Sequence, residues 1–201
     1  YEGLSDLPMT GQLYGGKATL NLEELLATGA EVIIDLGDFK KSIADDLTAL
    51  QEQTGLPCIF LEADLTHMAD AFRSLGTILG KEERGEELAK LVEETMTMAA
   101  ENSAKITEDQ MVSVLYSSGS DPLGTNAEGS SQAQVLGIVG AKNAVVVDEV
   151  TSKGGGNMIN MEQLYNFDPD VVLVTDAAAL EIIESETAWQ ELRAVKDGKV
   201  Y

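Results

Sequence analysis

The sequence predicts an α/β fold built as two lobes with parallel sheets, joined by one long α-helix. Three observations carry that expectation. Short β-rich apolar runs alternate with helical patterns at both ends of the chain, the pattern of parallel strands linked by crossover helices. Residues 65–106 break the alternation with helix formers alone. Two distant segments also repeat one another: Asn21-Leu22-Glu23-Glu24-Leu25 aligns without a gap on Asn160-Met161-Glu162-Gln163-Leu164, an offset of 139 residues. A period that long is no solenoid, whose repeats run about 20–50 residues. It places one copy of the same device in each lobe.

Taken in order, residues 21–28 read as a short helix capped by Asn21, and 31–36 as a strand whose Val32-Ile33-Ile34 core suits burial on both faces. Residues 42–53 read as a helix and 58–61 as the next strand. Gly29, Gly55 and Gly140 stand where helices should stop. In the strand-free middle, Leu75, Ile78 and Leu79 suggest one helix that breaks near Gly80. From Lys81 onward, Leu88, Leu91, Val92, Thr95, Met96 and Ala99 recur at three- and four-residue spacing. That second helix, of about 24 residues and about 36 Å, is read as a rigid spacer between the lobes, against the plainer reading of a packing helix inside one domain. Beyond it come a strand at 111–116, a helix at 131–139, a strand at 144–147, the second repeat with its helix at 161–166 and strand at 171–175, and a helix at 177–183. The expected division is an N-terminal lobe at 1–80, a connecting helix at 81–106 and a C-terminal lobe at 107–201.

Composition narrows the function classes. The 201 residues hold 13 Lys and Arg against 35 Asp and Glu, a formal net charge of −22. Nucleic-acid phosphates would be repelled, so nucleic acid is not an expected partner. No apolar run approaches the ~20 residues that span a bilayer. Without an initiating Met or a signal peptide, the chain reads as a piece of something longer, truncated at both ends. The lone Cys58 has no internal partner and reads as a small buried strand residue.

Enzymatic signatures are missing. No Gly-x-Gly-x-x-Gly follows a strand, no phosphate-binding Gly-x-x-x-x-Gly-Lys-Ser/Thr loop occurs, and a single histidine limits any triad. No His/Cys/Asp set has metal-ligand spacing, so no resident metal or cofactor is expected.

In parallel α/β sheets, ligands gather at the carboxyl ends of strands. Those ends lead here into Phe39-Lys40-Lys41, into the loop with His67, and into Ser117-Ser118 with Asn126. A fourth loop holds Lys153, three glycines, Asn157 and Met158. Consecutive glycines beside Lys153 allow a backbone concavity that attracts anions. The serines suit a polar ligand or an oxyanion, and Phe39, Tyr14, Tyr116 and Met158 offer apolar surface to a planar or chelated one. Each assignment has a plainer counterpart: solubilising lysines, a capping or surface His67, and Tyr116 and Met158 as core.

The repeated device admits two readings as well. Glu23 and Glu162 sit in first helical turns, where the helix dipole favours an acid. They also match across the repeat, lie near exposed ends and lack an obvious basic neighbour. Two like carboxylates can clamp two arginines on a partner protein.

Asn21-Leu22-Glu23-Glu24-Leu25 with Glu31-Val32-Ile33-Ile34, and Asn160-Met161-Glu162-Gln163-Leu164 with Asp168-Pro169-Asp170-Val171-Val172-Leu173-Val174, resemble the paired signatures of one family. It is the substrate-binding proteins of ABC importers for iron–siderophore, haem, cobalamin and related metal-complex or oxyanion cargo. The tail from Trp189 to Tyr201 and the Leu7-Pro8-Met9-Thr10-Gly11 segment are similar to others of its segments. The resemblance implies two Rossmann-like lobes on one long helix, with cargo held in the cleft between them. It implies that Glu23 and Glu162 dock to an ABC permease, which works with its ATPase. It implies a place in the periplasm or on the outer face of the cytoplasmic membrane, touching membrane only through a lipid anchor or the permease. The ligand residues carried into that cleft are Phe39, Lys40, Lys41, His67, Ser117, Ser118, Asn126, Lys153, Asn157 and Met158. Two alternatives stay open: a carrier for an oxyanion such as molybdate, and a two-lobed metallocluster-type enzyme.

Overall fold

The structure, a computed structural model, describes residues 6–14, 19–151 and 156–201. The chain divides into two compact units, Tyr1–Glu93 and Glu94–Tyr201.

The first unit opens with α1 (Leu22–Ala27), β1 (Ile33–Gly37), α2 (Ile43–Thr54) and β2 (Cys58–Glu62). β1 and β2 pair in parallel, from Ile33 opposite Cys58 to Gly37 opposite Glu62. α2 is the crossover between them. Its Ile43, Leu47 and Leu50, spaced four and three residues apart, form one buried stripe against Ile33, Cys58 and Phe60. Gly55 ends α2 in the left-handed region at φ 71°. Next come α3 (Met68–Ile78) and α4 (Glu82–Ser103), separated by a turn at Gly80 with φ 61°.

α3 and α4 meet through glycines. A Cβ on Gly85 would lie 2.6 Å from the Phe72 carbonyl oxygen, and one on Gly76 would lie 3.0 Å from the Gly85 Cα. The contact is fastened by Arg73 of α3. Its Nε donates to Glu86 Oε2 and its Nη1 to Glu93 Oε1, both at 2.7 Å. At 22 residues α4 is about 33 Å long. The boundary between the two units falls inside it.

The second unit holds β3 (Ser113–Ser117), β4 (Gly124–Thr125), α5 (Gln134–Ile138), β5 (Lys142–Asn143), β6 (Asn157–Met158), α6 (Met161–Phe167), β7 (Val171–Val174), α7 (Ala177–Ser185), α8 (Thr187–Gln190) and α9 (Arg193–Lys196). Its sheet is parallel in the order β5-β3-β7, and Val200 adds a single parallel bridge on the far side of β7 at Val172. The core gathers Leu115, Leu164, Val172, Ile183, Trp189 and Leu192, all essentially buried. Arg193 ties the second repeat to the tail: Nη1 donates to Asp170 Oδ1 at 2.8 Å and Nη2 to the Asp168 carbonyl at 3.0 Å.

One sequence expectation needs correction, and one pairing was not foreseen. The strand expected at 144–147 is irregular; the strand is the two-residue β5, just before it. Asn143 Oδ1 captures the Val145 amide at 2.9 Å, and the Val145 carbonyl accepts from Glu128, which removes both groups from the ladder. Val145 still points into the core, which is why the run looks like a strand. The antiparallel pair β4–β6 was not expected, because two-residue strands leave no periodicity to read.

Candidate functional site

In the second unit the chain leaves β3 for β5 on one side of the sheet and leaves β7 for Val200 on the other. β3 and β7 therefore flank a point where the strand connections diverge, the place where open α/β sheets bind ligands beyond their carboxyl ends. The two strand ends are stitched together there by the Thr175 amide donating to the Ser117 carbonyl at 3.3 Å.

Ser117, Ser118 and Asn126 meet at this spot. Ser117 is fully buried and donates its hydroxyl proton to the Gly124 carbonyl at 2.7 Å, so it holds the β3–β4 turn together. Ser118 is exposed. The Asn126 Nδ2 donates to its Oγ at 3.0 Å. That bond uses one lone pair of the hydroxyl oxygen, and among the described residues the Ser118 proton has no acceptor, so it can be donated to a bound one. Asn126 is itself fixed: its amide donates to the Tyr116 carbonyl, and its carbonyl accepts from Asn143 Nδ2, both at 2.8 Å. Asn143 is a contributor that sequence reasoning missed, since a lone Asn after a short strand carries no motif.

Asn157 and Met158 form β6. The Asn157 Oδ1 accepts from the Thr151 amide at 3.0 Å and its Nδ2 donates to the Glu149 carbonyl at 2.7 Å. Its carbonyl accepts from Thr125 Oγ1 at 3.0 Å. Gly156, at φ 84°, is required beside it, because a Cβ there would sit 2.3 Å from the Thr125 carbonyl oxygen. Met158 is 64% exposed. Lys153 lies outside the described residues, as do Gly154 and Gly155 of the expected glycine concavity.

In the first unit, Phe39, Lys40 and Lys41 follow β1 and are exposed. The Lys40 ammonium stands 3.6 Å from the centre of the Tyr14 ring, a cation–π contact that gives it a partner inside the fold. The Tyr14 hydroxyl is buried and reached by no hydrogen bond of standard geometry among the described residues. Burial, followed by repulsion from the Asp46 carboxylate, pushes its pKa up to about 12.

His67 follows β2, where the fold unites three groups that the sequence had not linked. Ligand-capable atoms of Glu62, Asp64 and His67 lie within 4.8 Å of one another. A turn lock accounts for Asp64 and His67, and Glu62 Oε1 stands 3.9 Å from His67 Nδ1. Asp64 Oδ1 accepts from the Thr66 amide and hydroxyl at 2.7 Å each, from the His67 amide at 3.0 Å and from His67 Nδ1 at 2.9 Å. These donors, the Thr66 hydroxyl foremost, hold the Asp64 carboxyl at about 2. The Asp64 hydrogen bond in turn raises the His67 pKa above its ordinary 6.5. The Asp64-Leu65-Thr66 spacing is the signal that finds this turn.

The repeated helices keep their sequence-level symmetry. Asn21 Oδ1 accepts from the Glu23 and Glu24 amides at 3.1 and 3.3 Å. Asn160 Oδ1 accepts from the Gln163 amide, and Gln163 Oε1 accepts from the Asn160 amide, both at 2.9 Å. Gln163 is thus folded back on its cap. Glu23 and Glu162 are exposed, and neither carboxylate has an ion pair or hydrogen bond among the described residues.

The family described as periplasmic binding protein matches residues 4–201. The uncharacterized ABC transporter substrate-binding lipoprotein YvrC of Bacillus subtilis (strain 168) is 22% identical over 190 residues, covering 92% of this chain and 58% of that protein. Among solved structures, an ABC transporter solute binding protein from Sulfurospirillum deleyianum DSM 6946 matches with a TM-score of 0.86 at 26% identity, over 100% of this chain and 61% of that one. MolA of Haemophilus influenzae, a molybdate periplasmic binding protein solved bound to molybdate, matches with a TM-score of 0.78 at 20% identity, over 98% and 63%. The chain spans about three fifths of the length of the curated relatives it matches. Among the described residues no helix is long and apolar enough to cross a membrane.

Proposed function

The chain belongs to the periplasmic binding protein family, and on that footing we propose that it captures a metal complex or oxyanion at its strand ends and delivers it to an ABC permease. The curated relatives are described as ABC transporter substrate-binding lipoproteins, which supports reading this chain as a transport component held on the outer face of the cytoplasmic membrane. A carrier needs no reacting groups. It needs only different affinities in two conformations, and a partner that distinguishes them.

The observation that carries the cargo reading is Ser118. Its hydroxyl stands exposed where the connections of β3 and β7 diverge, with its oxygen accepting from Asn126 and its proton without an acceptor among the described residues. A ligand oxygen bearing negative charge, whether of an oxyanion or of a chelate, is the acceptor such a donor suits. Exposed Met158, in the same unit as Ser118, offers apolar surface for the body of a chelate. MolA shares the fold, and its molybdate makes the oxyanion arm of the panel worth measuring first. Lys153 belongs to the proposal on sequence grounds alone.

The test is calorimetric titration of the full-length protein with molybdate, a ferric siderophore and haem. One of the three binds tightly and stoichiometrically without being turned over. Ser118→Ala weakens that ligand by about tenfold, the scale of one hydrogen bond to a charged acceptor. Identical isotherms for Ser118→Ala and the parent protein would remove Ser118 from the site. Turnover of a bound ligand would sink the carrier reading.

A further inference from the structure

The two repeated helices share a feature besides their acids, and the inference drawn from it rests on the docking role of Glu23 and Glu162. Leu26 of α1 and Tyr165 of α6 occupy the same place in the repeat, 139 residues apart and three residues after each acid. Residues three apart on a helix are surface neighbours, so each carboxylate stands beside a large apolar side chain. Leu26 is 46% exposed and Tyr165 42%.

These are not core positions left unfilled. Each helix already has its inward pair: Leu22 and Leu25 in α1, Met161 and Leu164 in α6, all half-buried or buried. The Tyr165 ring is also fixed in place, its hydroxyl donating to the Ala188 carbonyl at 2.7 Å. Single exposed apolar residues are ordinary and need no explanation. The same position exposed in both copies, each time next to an acid without a partner among the described residues, is a different observation.

We infer that Glu23 with Leu26, and Glu162 with Tyr165, are two copies of one two-point contact for the permease. The partner surface that fits each copy carries a guanidinium or ammonium group beside an apolar recess. Charge points to such a partner: this chain carries 35 acidic residues against 13 basic ones, and neither carboxylate has an ion pair among the described residues, so a cationic surface complements both. The division of labour follows from physics. The carboxylates supply orientation and a salt-sensitive encounter rate, while the apolar anchors, desolvated on contact, slow dissociation.

The experiment uses the full-length protein and its permease complex reconstituted in nanodiscs, with the docking Kd read at low and high salt. The double variant Leu26→Ser with Tyr165→Ser should raise Kd about tenfold or more at both salt concentrations, leave the salt slope unchanged and leave cargo affinity intact. Leu26→Met with Tyr165→Phe, which keeps the apolar anchors, should stay within about twofold of the parent. Leu26→Glu should weaken docking although it adds an acid, which a contact made by charge alone would not do. The pair Glu23→Gln with Glu162→Gln should raise Kd and flatten its salt dependence. Unchanged Kd in the serine pair, with the glutamine pair impaired, overturns the inference and leaves the docking role standing. Unchanged Kd in the glutamine pair overturns the docking role and the inference with it.

Discussion

Much of what holds this chain together is decided by single polar atoms, and the Asp64 carboxylate shows how. One oxygen gathers four donors in the turn ahead of α3. Because the folded pKa is lowered from 3.8 to about 2, the stability it contributes is present above about pH 3.8 and is lost as the pH falls toward 2. His67 behaves in the opposite sense. Its raised pKa makes its contribution complete below 6.5 and lost as the pH climbs through the folded midpoint. NMR titration should place the His67 midpoint above 6.5, and Asp64→Asn should bring it down. A midpoint that stays put in the variant would mean that Asp64 is not its partner. The sequence showed His67 as a lone histidine with two readings. The Asp64-Leu65-Thr66 spacing signals the turn, but not that Glu62, at the end of β2, comes beside His67, because that approach depends on how the strand enters the turn. Ser118 was legible as a polar loop residue. Its oriented hydroxyl was not, since the orientation comes from Asn126, eight residues away.

At the scale of elements, the sequence spoke most clearly where burial imposes a period. α2 shows its 43–47–50 stripe, and both Asn caps and the glycine stops at 29, 55 and 140 are where residue chemistry puts them. Legibility failed at β4, β5 and β6, each two residues long, whose pairing is set by distant backbone and by the Asn143 side chain. The tail helices α8 and α9, four residues each, are likewise too short for any periodicity to show. The α3–α4 contact was visible only as a break near Gly80. What fixes it is the close approach at Gly76 and Gly85. Gly85→Ala should therefore cost about 1–3 kcal/mol or more, because the obstacle is backbone that cannot rotate away. Chemical denaturation measures it, and a neutral result would show that the two helices can slide apart cheaply. Arg73, which reaches from α3 to Glu86 and Glu93 of α4, is expected to limit that sliding.

For the molecule as a whole, the boundary between two compact units falls within α4, and each unit carries one copy of a capped helix whose acid has no partner among the described residues. The repeat was readable from the sequence because it is ungapped. A docking function requires both copies at once, so the double change Glu23→Ala with Glu162→Ala should abolish permease-stimulated transport in proteoliposomes while the cargo isotherm stays as it was. Loss of cargo binding in that variant would contradict a docking role. Cys58 has a further use on this scale. It is the sole cysteine, it sits half-buried in β2 with its thiol donating to the Leu56 carbonyl, and burial raises its pKa. A thiol held in that state reacts slowly with maleimides at neutral pH. A second cysteine introduced at Phe39 or Met158 would thus take a fluorophore selectively in the parent background, giving an optical readout for ligand titrations that test the proposed carrier role.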